Sequence, residues 1–274
     1  MMRIRTKEIH ERSWCPELFR DSLTEFLSIV WTVGVYKQAI SEINQLVRGA
    51  SKNTVVDLCS GAGDYIPALL KEINSGEEKF SVVIYKTDLY PNKRFFETGD
   101  DKIKYYPHPL AAENAFGRFD ALFCMFSALH HFDEPEVLKI LYRAAKNKRC
   151  IAFFDVSQRR FLTDILANIF LPGMVWAVAP CFKRFSWLHL VFIYLIPVIP
   201  LVVFIDGTLS RMRAYKIREL EVLAARVRKR YPDFYIRISE YELLGGMQKV
   251  TKITGYPESE KRKIDDFNNK KKNS

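Results

Sequence analysis

The sequence is poor in the features that hold small secreted or metal-stapled domains together. Its five cysteines, Cys15, Cys59, Cys124, Cys150 and Cys181, are scattered without a C-x-x-C pair, and no histidine stands at zinc-ligand spacing. This argues against a disulfide framework and a structural zinc site, and the thiols are read as reduced, in a cytosolic setting. The amino-terminal MMRIRTKEIHERSW holds no apolar core, so no cleavable secretory signal is expected. Internal repeats are lacking too, which argues against a solenoid or propeller.

What is there is a chain of 274 residues, 48% hydrophobic, enough for one sizeable α/β domain with an appended or inserted element. Its 42 Lys and Arg against 32 Asp and Glu leave a net charge of +10. That balance suits an anionic partner, a phospholipid surface or a nucleic acid. Much of the excess is local, in Arg226, Arg228, Lys229 and Arg230 and in a tail carrying Lys261, Arg262, Lys263, Lys270, Lys271 and Lys272. A solvated face or tail is the plainer reading of such runs, and the tail, 259–274, is expected to be disordered.

Residues 17–48 have helical apolar spacing, with Leu23, Phe26, Leu27 and Val30 near one stripe and Ile40, Ile43, Leu46 and Val47 near the next. Strand-like and helix-like segments then alternate: strands at 54–59, 81–87, 102–106, 119–125 and 149–155, helices at 65–73 and 135–146. Such alternation implies βαβ units and a parallel, doubly wound sheet. The pattern breaks into an apolar stretch at 161–205 and resumes with a helix through Ile217, Leu220, Leu223 and Val227. Strands at 234–240 and 249–254, joined through Leu244-Gly245-Gly246, read as a hairpin. The expected fold is an α/β, Rossmann-like sheet of seven strands, mostly parallel, closed by an antiparallel hairpin and interrupted by an apolar helical insertion. The corresponding division is 1–49, helices covering a pocket; 50–160 with 206–258, the main domain; 161–205, the insertion; and 259–274, the tail.

The stretch VVDLCSGAGDY, 55–65, runs from a strand into a glycine turn. In an open α/β sheet the first βα turn brings bare backbone N–H groups to a ligand, and Gly61 and Gly63 supply that backbone. Ile66 stands where the dinucleotide fingerprint has its third glycine, so the glycine pair alone is a weak signal. Asp88, at the end of the second strand in VVIYKTDLYP, strengthens it, because a carboxylate there can accept both hydroxyls of a ribose. An ordinary strand-to-helix turn with an exposed Asp is the plainer alternative.

VVDLCSGAGDY resembles the first motif of class I S-adenosylmethionine-dependent methyltransferases, KTDLYP their second, and FDALFCMFSALHHF, 119–132, their strand-4 signature. The resemblance covers about residues 50–156 and the closing hairpin. It implies S-adenosylmethionine as cofactor, with Asp57, Gly61 and Gly63 at its methionine part, Asp88 at its ribose, Leu89 at its adenine and Met125 on the strand-4 side. One departure concerns the adenine side, where HPLAAEN offers only Glu113 or Asn114, slightly later than the family's acidic or amide residue. The chain also resembles a group of bacterial predicted methyltransferases with an apolar insertion after strand 5, through Leu129-His130-His131-Phe132 and a D-G-x-x-S-x-x-R-x-Y element at Asp206, Gly207, Ser210, Arg213 and Tyr215.

His130 and His131 follow strand 4, and one of them can serve as a general base for a poor nucleophile. Ordering of the loop through hydrogen bonds is the alternative for both. Asp206, Arg213 and Tyr215 read either as a site for a polar or anionic head group, with a forked Arg213 contact, or as a local pairing in which Asp206 caps a helix and meets Arg213. Arg20, Asp21, Glu25 and Tyr36 are read first as an exposed helix face, and second as residues closing the pocket.

From 187 to 205 the only strongly polar residue is His189, and the run is roughly long enough to span a bilayer core, with Pro197 and Pro200 expected to kink it. Both flanks of the insertion must lie on one side of a membrane if the hairpin completes the sheet. A single crossing is thereby excluded, leaving a paired crossing, a re-entrant hairpin or helices lying in the interface. With the positive net charge, a monotopic hairpin on the anionic cytoplasmic face is favoured over an apolar lid or dimer interface. The reading is methyl transfer to a small or lipid-like acceptor at or near a membrane. Its rivals are a noncatalytic membrane-surface module on the same fold and a nicotinamide-dependent reductase, for which Tyr142-x-x-x-Lys146 sits on the wrong helix. No nucleic-acid partner is expected, since strand 4 is not followed by an Asn- or Asp-Pro-Pro-Tyr element.

Overall fold

In the computed structural model, residues 3–32, 36–61, 63, 65–75, 81–91, 99–156, 168–183, 185–243 and 248–272 are described. The strand-like runs become β1 (Thr54–Leu58), β2 (Val83–Thr87), β3 (Ile103–Tyr105), β4 (Leu122–Phe126), β5 (Cys150–Asp155), β6 (Phe234–Leu243) and β7 (Gln248–Pro257). They form one sheet in the order β3-β2-β1-β4-β5-β7-β6. The first five are parallel, and β7 runs antiparallel to both β5 and β6. This is the expected Rossmann-like architecture. The hairpin turn at Leu244-Gly245-Gly246 lies outside the described residues, while the strands it joins pair from Phe234↔Pro257 to Leu243↔Gln248.

β4 and β5 read LFCMF and CIAFFD, and every position of both is buried. Parallel strands covered on two faces require such unbroken apolar runs, which is why no alternation marks them in the sequence. Strand order reverses at β1, which pairs with β2 on one side and β4 on the other. In doubly wound sheets ligands bind beyond the carboxyl ends of the strands at such a reversal.

By its internal packing the chain divides into two compact units, 1–34 with 157–216 and 35–156 with 217–274. The sheet unit also holds α2 (Lys37–Gly49), α3 (Ile66–Asn74), α4 (Ala112–Ala115), α5 (Glu134–Lys146), α9 (Ile217–Arg230) and α10 (Glu258–Lys272). The insertion unit holds α1 (Glu17–Thr32), α6 (Leu171–Val178), α7 (Trp187–Leu195) and α8 (Val198–Arg213).

The division differs from the sequence expectation in two places. The amino-terminal helices are split: α1 gives Leu23 and Phe26 to a core with Val175, Phe182, Ile193 and Val203, and so belongs with the insertion. Residues 206–213 also belong there, because α8 continues through them without a break. A further correction concerns the tail, expected to be disordered, whose residues 258–272 are helical. Ile264, 2% exposed, anchors this helix on α2, where a Cβ on Gly49 would lie 3.1 Å from the Ile264 Cα. Arg262 and Lys263, two of the charges that suggested disorder, stay exposed on this docked helix.

No single helix among the described residues is long and apolar enough to cross a membrane. The run 187–205 is instead a bent pair, α7 and α8, meeting at 68°. The break comes at Pro197, where proline was expected to interrupt the helix.

Candidate functional site

At the carboxyl edge of the sheet unit the chain leaves β1 through three left-handed residues, Cys59 at φ +55°, Gly61 at +50° and Gly63 at +61°. Glycine is required most at the last of these, because a Cβ on Gly63 would sit 2.5 Å from Lys86 Cε and 2.8 Å from Ser60 Oγ. At Gly61 the same direction is open space. Asp88 faces this turn. Its Oδ2 accepts the Gly61 N–H at 3.1 Å and its Oδ1 the Tyr90 N–H at 2.8 Å. Burial pushes the Asp88 carboxyl up, opposed by those two backbone donors. The structure thus brings Gly61, Gly63 and Asp88 together, with Leu89 beside them, 46% exposed. On the flank of β2 the Leu110 N–H bonds to the Asp88 carbonyl, while the Glu113 carboxylate turns away to Lys139.

Beneath the turn, Asp57 is fully buried. Tyr65 donates its hydroxyl to Asp57 Oδ2 at 2.5 Å, and the Cys124 thiol lies 3.6 Å from Oδ1. Burial pushes this carboxyl up to about 6, opposed by hydrogen bonds and by the neighbouring Lys86 ammonium. Lys86 is itself buried under Gly63. Met125 is 1% exposed within β4, flanked by Leu58 of β1 and Phe153 of β5, so it is a core residue of the sheet.

After β4 the backbone turns through Ser127 at φ +45°. Ser127 accepts the Tyr36 hydroxyl at 2.9 Å, and the Tyr36 and Tyr65 rings pack against Phe126 at 4.7 and 4.1 Å between centroids. Tyr36, read from sequence as part of an exposed helix face, is therefore a buried member of this edge. A 3-10 turn, Leu129–His131, follows. His130 is 3% exposed and held by Asp155 at the end of β5: its N–H reaches Oδ2 at 2.9 Å and its Nδ1 lies 3.0 Å from both carboxylate oxygens. Nδ1 thus sits where a proton on it is shared with the Asp155 carboxylate. The His131 ring packs on that of His130, 4.3 Å between centroids.

Sequence reasoning missed Asp155, Lys86 and Tyr65. The available signal was an acidic or basic residue inside an otherwise apolar strand, since buried charges need partners.

The remaining predicted residues lie in the insertion unit, in a different role from the one expected. Asp206 sits mid-helix in α8, so it caps nothing. Its Oδ1 accepts the Ile9 N–H at 2.6 Å, and its Oδ2 accepts the His10 N–H at 3.0 Å and the His10 Nδ1 at 2.9 Å. Arg213 reaches Glu8 at 3.4 Å and Glu11. Arg3 stacks over the Tyr215 ring at 4.0 Å and donates to the Arg213 carbonyl. The trio fastens the segment 3–11 to α8, which is nearer to the structural of its two sequence readings than to a head-group site.

No protein-family model matches this chain, and no curated protein is similar to it. Among solved structures it is similar to an O-methyltransferase family protein from Burkholderia thailandensis, at 14% identity and TM-score 0.46, over 80% of this chain and 56% of that one. It is similar to human N-acetylserotonin methyltransferase in complex with SAM at 13% identity and TM-score 0.46, over 86% of this chain and 56% of that one. A plantazolicin methyltransferase in complex with SAH matches at 10% identity and TM-score 0.47, over 88% of this chain and 98% of that one. The chain thus spans little more than half the length of the first two. The strand order and the antiparallel closing pair are those of a Rossmann-like, doubly wound sheet.

Proposed function

We propose that this chain is an S-adenosylmethionine-dependent methyltransferase acting on a small or lipid-like acceptor at or near the cytoplasmic face of a membrane. The observation that carries the reading is the Gly61 N–H on the Asp88 carboxylate at the point where strand order reverses. The residues fit an adenosine-bearing ligand. The Asp88 carboxylate accepts from the backbone of Gly61, Tyr90 and Leu89, its remaining lone-pair capacity serves a ribose hydroxyl, and the open side of Gly61 leaves the turn approachable. Gly63 and Asp57 lie towards the methionine part, and Leu89 towards the adenine.

When bound, this cofactor supplies an activated methyl group on a sulfonium. The protein then has to align the acceptor and exclude water. His130 is the base for an acceptor whose nucleophile carries a proton, and Asp155 positions its ring by holding Nδ1. The apolar insertion supports a lipid-like acceptor, and the net charge of +10 supports an anionic membrane.

Isothermal titration of the full chain with S-adenosylmethionine and S-adenosylhomocysteine tests this reading. Micromolar binding that Asp88→Ala abolishes is expected. Absence of binding by folded wild-type protein would sink it and leave a noncatalytic membrane-surface module.

A further inference from the structure

The insertion unit carries apolar surface on two sides. Its inner side is already used: Val175 of α6, Ile193 of α7 and Ile199 and Val203 of α8 pack with Leu23 and Phe26 of α1. The outer side is not. Phe170 is 70% exposed, Trp187 69%, Leu195 76% and Ile196 53%. A helix that is apolar all round needs a second apolar medium, and a cluster of aromatic and aliphatic side chains this open marks an interaction surface.

The polar groups of this region identify the medium. Between 185 and 205 there is no Asp, Glu, Lys or Arg, and the only strongly polar side chain, His189, is turned inward, 6% exposed, with its Nδ1 on the Ser186 N–H at 3.0 Å. At the bend between α7 and α8 the Ile196 N–H reaches the Val191 carbonyl at 2.7 Å, the Val198 N–H reaches the Ile196 carbonyl at 2.6 Å, and the Leu201 N–H reaches the Pro197 carbonyl at 3.2 Å. Pro197 and Pro200 have no N–H to leave unsatisfied. The Trp176 indole N–H donates to the Ile193 carbonyl at 2.8 Å, and the Tyr194 hydroxyl donates to the Trp176 carbonyl at 2.9 Å. A bend exposed to water needs none of this, whereas backbone entering hydrocarbon must satisfy its polar groups internally.

We infer that the bend at Tyr194–Ile196 is the tip of a shallow monotopic anchor that enters the boundary between headgroups and acyl chains in one leaflet of an anionic phospholipid bilayer, with Trp176 beside the tip in that boundary and Trp187 at the headgroup level. This deepens the membrane part of the function proposed above by naming the face and its partner, and it holds whether or not the chain transfers methyl groups. The 68° bend lets both helices lie at a shallow tilt to a surface with the bend as a low apex, a geometry suited to one leaflet and not to a crossing. Tryptophan and tyrosine are the residues that settle at the bilayer interface. The excess of positive charge, +10, favours anionic lipid over a second copy of the same cationic chain. The tip is folded in advance, so docking carries little ordering cost.

The test is flotation of the full chain with mixed phosphatidylglycerol–phosphatidylcholine vesicles and with pure phosphatidylcholine vesicles. Leu195→Glu and Ile196→Glu are run alongside, with circular dichroism and thermal unfolding to show that both exposed-site variants fold. Partition into the anionic vesicles is expected, weaker with the neutral ones, and each variant is expected to lower it about tenfold or more, in line with the cost of a charge in hydrocarbon. Quenching of tryptophan fluorescence by lipids brominated near the headgroup should exceed quenching by lipids brominated at the chain ends. Wild-type protein that stays with the soluble fraction, or variants that float as well as wild type, would overturn the inference. So would stronger quenching from the chain ends, or a concentration-dependent dimer that the variants dissolve while nothing floats. Titration with S-adenosylmethionine reports separately on the methyltransferase reading.

Discussion

The sheet unit and the insertion unit use the same kind of residue for opposite ends. In the sheet unit β4 and β5 are buried at all positions, and the exposed large apolar residues among the described ones are only Leu89, Tyr90 and Val222. The insertion unit, much the smaller, exposes the other twelve of fifteen, among them Trp187, Tyr194 and Leu195. Buried polar groups differ in the same sense. In the sheet unit Asp57, Lys86, His130 and Asp155 gather at the carboxyl edge of the strands, whereas in the insertion unit Glu8, Asp206 and Arg213 bind one segment of chain to another. One unit gathers its buried charges at one edge of its sheet, and the other uses them to hold its own shape while twelve large apolar side chains stay exposed.

The sharpest way to break that comparison is Arg213→Ala. Glu8, 2% exposed, would lose a cationic partner, and breaking a buried pair costs about 3–5 kcal/mol. Thermal unfolding should show the loss in the insertion unit, with S-adenosylmethionine binding by the sheet unit retained. A loss of ligand binding as large as the loss of stability would mean that the trio acts on ligand after all.

Asp57 gives a pH-dependent test of the sheet unit. Burial pushes its carboxyl up to about 6 from an ordinary value of 3.8. The folded chain therefore holds this proton more tightly than the unfolded chain, so that stability from this group falls as pH rises from about 4 to 6 and stays reduced above. The difference is roughly 2–3 kcal/mol. Denaturant unfolding at both ends of that window should show the drop in wild type and its removal in Asp57→Asn.

Gly63→Ala is expected to cost about 1–3 kcal/mol, because the residue is left-handed and a methyl group would strike Lys86. Its larger consequence is loss of ligand binding, read by calorimetry. Ile264→Ala should cost about 1–2 kcal/mol by releasing α10 from α2, visible as lost helical dichroism. Smallest is Lys263→Ala at the exposed 3.2 Å pair with Glu260, which should move stability by less than about 0.5 kcal/mol.

The parts that were legible in the sequence are those set by short-range chemistry. The runs around Val55, Leu122 and Ile151, the glycines of the first turn, Asp88 at the end of β2 and the proline break at Pro197 each carry a local cause that reads directly. What could not be read depends on residues far apart in the chain. Nothing near Asp206 says that its partners are Ile9 and His10, and nothing near His130 says that Asp155 will hold its ring. Tyr36 looks solvent-facing until the turn after β4 supplies Ser127. The tail misled for a related reason: composition registered its many charges and not the single Ile264 that docks it.

The central claim is that ligand binding and membrane docking belong to different units and can be separated. The most direct measurement is one set of paired assays, S-adenosylmethionine calorimetry and flotation with phosphatidylglycerol-containing vesicles, on wild type, Asp88→Ala and Leu195→Glu. The account predicts that Asp88→Ala loses the ligand and keeps the vesicles, while Leu195→Glu keeps the ligand and loses the vesicles. Folded variants that each lose both activities together would contradict it.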